Sequence, residues 1–80
     1  LNGLRQRLDE TDAAILELFD CRQRLSAAIG AYKGAHGLPV RDKDREAEVL
    51  RTRGDMLPER RDQAERLMTL LMALSREEQA

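Results

Sequence analysis

The stretch LRQRLDETDAAILELFDCRQRLSAAIGAYKG, from Leu4 to Gly34, decides the fold. Leu4, Leu8, Thr11, Ile15, Leu18, Arg22, Leu25 and Ile29 recur in it at alternating steps of four and three. That spacing puts side chains on one face of an α-helix. No proline interrupts the pattern, which predicts a single helix of about 45 Å. Such a helix is too long to be covered by the rest of an 80-residue chain, so it is expected to pack against its own copy. Arg22 breaks the apolar face in its middle. A guanidinium there requires an anion, either a carboxylate of the protein or a ligand.

Working outward, Gly34-Ala35-His36-Gly37-Leu38-Pro39 reads as a break, with glycines past a helix end and proline beyond. Asp42 or Asp44 can cap a second helix, running to about Arg53. Gly54 to Pro58 is a second predicted break. Pro58 suits the first turn of a third helix, from about Glu59 to Gln79. The run Leu67–Leu74 is apolar nearly all round, so its middle is expected to be buried on most sides. The fold class is therefore all-α: one domain over residues 1–80, with three helices per chain and a long first helix.

Composition excludes several roles. The chain has 14 basic and 15 acidic residues, a formal charge of −1, so no global field draws nucleic acid or an anionic membrane. One tyrosine and one phenylalanine leave no stacking platform for single strands. No apolar run approaches the roughly 18 residues of a membrane span. Cys21 has no partner within the chain, and no signal peptide is visible; a cytoplasmic location is the expectation.

Each helix carries its inward stripe into polar residues. On the first, the face of Arg22 continues through Ser26 and Ile29 to Lys33, eleven residues and about 16 Å further on. Taken singly, Lys33 reads as a solvated cation at a helix end. On the second, Val49 and Leu50 point inward, and Asp42, Arg45 and Glu46 extend that face backwards; alone they read as a capping and ion-pair cluster. On the third, Met68 and Met72 lead to Ser75 and Gln79, which alone read as a frayed terminus. Together these groups resemble the lining of a pocket for a small, multiply anionic molecule. A buried structural salt-bridge network is the competing account. Arg5 lies seventeen residues before Arg22, about 25 Å along the axis, so one copy cannot bring both to one small ligand. In an antiparallel pair of first helices, Arg5 of one chain would approach Arg22 and Lys33 of the other.

The opening Leu4-Arg5-Gln6-Arg7-Leu8-Asp9-Glu10-Thr11-Asp12, the set Arg22, Gly30 and Lys33, and Pro39-Val40-Arg41-Asp42-Lys43-Asp44-Arg45-Glu46 together resemble the all-helical class of chorismate mutase, over nearly the whole chain. The connection between the second and third helices is about one turn shorter than is usual there, an alignment that puts Ser75 and Gln79 on the last two site positions. The resemblance implies an intertwined homodimer with two shared sites, converting chorismate to prephenate by a Claisen rearrangement in aromatic amino-acid biosynthesis. It implies no metal, cofactor or covalent intermediate. By position, Arg22 and the other chain's Arg5 would grip the two substrate carboxylates. Lys33 and Gln79 would face the ether oxygen, and Glu46 would bind the ring hydroxyl, with the backbone near Asp42 assisting. Arg45 and Ser75 would complete the polar shell, and Ser26 and Ile29 part of its wall. Relatives that rearrange 4-amino-4-deoxychorismate or eliminate pyruvate from isochorismate share the fold. So would a non-catalytic dimerisation or regulatory module. A partner enzyme that controls activity is not identifiable from the sequence.

Overall fold

The computed structural model describes residues 1–80. Helix α1 spans Asn2–Ala35, 34 residues, slightly beyond the predicted Leu4–Gly34. Gly37 ends it with a backbone φ of +65°, a conformation L side chains rarely adopt. The reversal lets Leu38 N–H donate to the Lys33 carbonyl at 2.8 Å and Gly37 N–H to Gly34 at 3.5 Å, the paired bonds that close a helix on a left-handed residue. Gly34 itself lies inside the last turn.

Helix α2 spans Lys43–Met56. Of the two candidate caps, Asp42 is used: its carboxylate accepts from Arg45 N–H at 3.0 Å, and Asp44 and Glu46 add negative charge to the first turn. The predicted break at Gly54 does not occur there. The helix continues through Gly54 to Met56 and stops at Leu57. Gly54 is buried because the Arg61 side chain lies where a Cβ would stand. The glycine thus serves a close approach between elements rather than ending the helix. Pro58–Arg60 forms a single 3-10 turn, and helix α3 follows over Arg61–Gln79. The predicted start near Glu59 therefore falls in the tighter turn preceding the α-helix.

Helix α3 is the centre of the chain: α1 packs on one side of it and α2 on another, with no backbone approach between α1 and α2. The core is small, with Val49, Ala64 and Met72 as its buried apolar residues. The apolar run of α3 is covered less than predicted. Met72 is buried, but Leu67 and Leu70 are more than half exposed, because a single chain supplies too few neighbours. The same holds for α1: Leu4, Leu8, Ile15 and Leu18 of its apolar stripe are each more than half exposed, and residues 1–18 are exposed throughout. The molecule measures 52 × 24 × 14 Å with a radius of gyration of 15.2 Å, against about 12 Å for a compact chain of this length. No helix is long and apolar enough to cross a membrane.

Candidate active site

The second half of α1, the first three turns of α2 and the end of α3 line a half-open cavity of about 350 Å³, within the range that holds small ligands. Of the eight residues singled out from the sequence, seven line it: Arg22, Lys33, Asp42, Arg45, Glu46, Ser75 and Gln79. Ser26 and Ile29 form part of the wall as expected. Arg5 is not among them. It is exposed near the far end of α1, as its separation from Arg22 requires. His36 and Cys21 also lie outside the cavity: His36 stacks on Tyr32 and Cys21 is exposed.

Arg22 has no carboxylate partner. Its Nη1 donates to the Leu71 carbonyl at 3.2 Å, and none of the ion pairs of the fold includes it. Burial, and then the positive charge of Arg53, push its pKa below the ordinary arginine range. Of the two anions open to it from the sequence, its own chain supplies no carboxylate. The wider field agrees. Arg22, Lys33, Arg45, Arg53 and Arg76 line the cavity against only Asp42 and Glu46, while the chain as a whole carries a charge of −1. Cations concentrated in a cleft attract a small anion more strongly than net charge suggests.

Five groups along one wall form a chain of hydrogen bonds with a single direction. Lys33 Nζ donates to Gln79 Oε1 at 2.9 Å, which turns the amide so that Gln79 Nε2 donates to Ser75 Oγ at 3.0 Å. Ser26 Oγ donates to the Arg22 carbonyl at 3.0 Å. Its only proton is thereby used, so the 2.6 Å contact between the two serines runs from Ser75 to Ser26. Lys33 Nζ also donates to the Val40 carbonyl at 2.7 Å. An ammonium has three N–H bonds and a primary amide two, so Lys33 and Gln79 each keep one donor uncommitted. Gly30 makes this register possible. A Cβ there would stand 2.7 Å from Gln79 Cα and 2.8 Å from its carbonyl oxygen, so only glycine lets α3 bring Gln79 this close to α1.

The acidic groups are already engaged within the fold. Glu46 accepts from Arg76 at 2.6 Å and lies 3.4 Å from Arg41. Asp42 caps α2, and Arg45 pairs with Glu48 at 2.6 Å on the exposed side. The capping and ion-pair reading of this segment thus holds alongside its position in the cavity wall. Sequence reasoning missed Arg53 and Arg76. Both were accessible to the rule that found the others: Arg53 is four residues after Val49, and Arg76 four after Met72.

Comparison with known proteins gives the same outline. The T-protein of Enterobacter agglomerans is 40% identical over 53 residues, covering 66% of this chain and 14% of that protein. The T-protein of Haemophilus influenzae is 36% identical over 53 residues, with the same coverage of 66% and 14%. The match is therefore to a small part of those longer relatives. No solved structure matches. Residues 4–80 match the family described as chorismate mutase type II. With that match spanning almost every residue of a three-helix fold whose polar stripes meet in one cavity, the chain belongs to the chorismate mutase type II family.

Proposed function

We propose that this chain is a chorismate mutase, an isomerase that rearranges chorismate to prephenate, and that it works as a homodimer with shared sites. The observation that carries this reading is Arg22, partly buried, facing the cavity and without a carboxylate partner. A dianionic substrate supplies that carboxylate. Arg5 of the partner subunit, which its own chain leaves exposed, supplies the second grip. Two guanidinium forks on two carboxylates select the folded conformer of the enol-pyruvyl side chain and reduce the entropic part of the barrier.

The remaining chemistry requires no proton transfer. As the C–O bond breaks ahead of C–C formation, negative charge gathers on the ether oxygen. The uncommitted N–H groups of Lys33 and Gln79 stabilise it, and the hydrogen-bond chain through Ser75 and Ser26 holds both donors in place before the charge develops. Glu46 binds the ring hydroxyl. Its double pairing with Arg76 and Arg41 favours this neutral group over the ring ammonium of the 4-amino analogue, which would meet a carboxylate already compensated.

Incubation of the protein with chorismate, 4-amino-4-deoxychorismate and isochorismate in separate reactions, with the products identified, tests the reading. Prephenate from chorismate is the expected result. Turnover of only the amino compound, or release of pyruvate from isochorismate alone, would assign a different substrate to the same cavity. No turnover of any of the three would favour a non-catalytic module.

A further inference from the structure

Arg53 is the second guanidinium of the cavity without a carboxylate. The other cations are accounted for within the fold. Arg76 pairs with Glu46 and Arg45 with Glu48. Lys33 is held by Val40 and Gln79. Arg53 has only a neutral tether: its Nη1 donates to Thr52 Oγ1 at 2.9 Å, and Thr52 Oγ1 donates onward to the Val49 carbonyl at 3.3 Å. That tether fixes the side chain over the inward face of α2, one turn beyond the buried Val49. Arg53 is partly buried, lines the same cavity as Arg22, and is close enough to disfavour the charged form of Arg22. Two like charges that line one cavity repel, and a shared anion between them turns that repulsion into a two-sided grip.

We infer that Arg53 is a further substrate-binding residue, acting with Arg22 on the same substrate carboxylate, so that the grip within one chain consists of two guanidiniums. Of the ten N–H donors of the two guanidiniums, eight are left once the bonds to Leu71 and Thr52 are set aside, and the four lone-pair sites of one carboxylate can be filled without a contribution from the second chain. Arg5 of the partner subunit is thereby left for the other carboxylate. The inference rests on the proposed mutase reading, and it concerns binding of the ground state as much as of the transition state. Loss of Arg53 therefore raises KM more than it lowers kcat.

The test is Arg53→Gln, with Arg53→Lys beside it, measured in the intact dimer. Helicity and oligomeric mass are checked first. With wild-type turnover of chorismate as the reference, Arg53→Gln is expected to raise KM on the order of tenfold to a hundredfold, the scale of one charge-assisted hydrogen bond. Arg53→Lys, which keeps the charge and loses the fork, should recover part of that loss. A substrate monoester identifies the carboxylate. Esterifying the group that Arg53 holds should weaken binding to both proteins, because Arg22 loses its partner in each, but less to Arg53→Gln than to wild type. An unchanged KM in Arg53→Gln, or an effect of the same size with either monoester, overturns the inference while leaving the mutase reading intact. So does a variant whose only defect is dissociation into monomers, since Arg53 would then pair with a carboxylate of the second chain. An inactive wild-type protein would instead remove the mutase reading on which the inference stands.

Discussion

Lys33 shows how much of this site is a matter of counting donors. Two of its three N–H bonds are committed, to Val40 and Gln79, and these anchors aim the third. Lys33→Ala should leave circular dichroism and dimerisation unchanged and lower kcat by about 10²–10³, the effect of removing one preorganised donor at a developing oxyanion. Near-normal turnover would rule out the role given to Lys33. Arg22 makes the opposite kind of prediction for stability. Its charge is disfavoured by burial and by Arg53, and no carboxylate of the chain compensates it. Arg22→Met keeps the apolar stem and removes the charge. Substrate binding should be lost while the thermal midpoint stays level or rises. Parallel loss of stability and activity would support a structural salt-bridge network instead.

At the scale of the element, helix stripes were legible and approach distances were not. Steps of three and four located α1, the polar continuation of each helix, and seven of the eight proposed site residues in the cavity, because helix periodicity is a local property of sequence. The cap of α2 was narrowed to Asp42 or Asp44 by residue type, and the structure uses Asp42. Gly54 was misread, since a glycine that stops a helix and one that makes room for a neighbour look alike until Arg61 is seen beside it. Arg53 was passed over as the end of α2. Its step of four after the inward Val49 places it on the cavity-facing side, a continuation of the stripe forwards that was read only backwards, toward Asp42. Gly30 provides a test at this scale. Alanine raises helix propensity by about 1 kcal/mol over glycine, yet at position 30 its Cβ overlaps the Gln79 backbone. Gly30→Ala should therefore displace the end of α3, break the Lys33–Gln79 hydrogen bond and lower kcat by about tenfold to a hundredfold. The helix content of α1 should be unchanged. Full activity would mean that the end of α3 can shift without consequence.

At the scale of the whole molecule, the dominant fact is an apolar stripe with nothing on it. In the proposed dimer a second copy covers Leu4, Leu8, Ile15 and Leu18, and the same step delivers Arg5 to the other chain's cavity. Mixing inactive Arg5→Ala and Arg22→Ala chains checks both statements. A heterodimer has one site with both arginines and one with neither, so random pairing of equal amounts should restore about a quarter of wild-type activity. Proven heterodimers without activity would separate dimerisation from a shared site. The long free half of α1 has one further consequence, for behaviour on dilution. An isolated helix in water is marginal, so in the proposed dimer a chain that leaves its partner would lose both the other chain's arginine and the order of its own first turns. Folding and association then become one equilibrium, set by protein concentration. Below its midpoint, the rate in the assay should fall with the square of the enzyme added, and the circular-dichroism signal of α1 should fade over the same range.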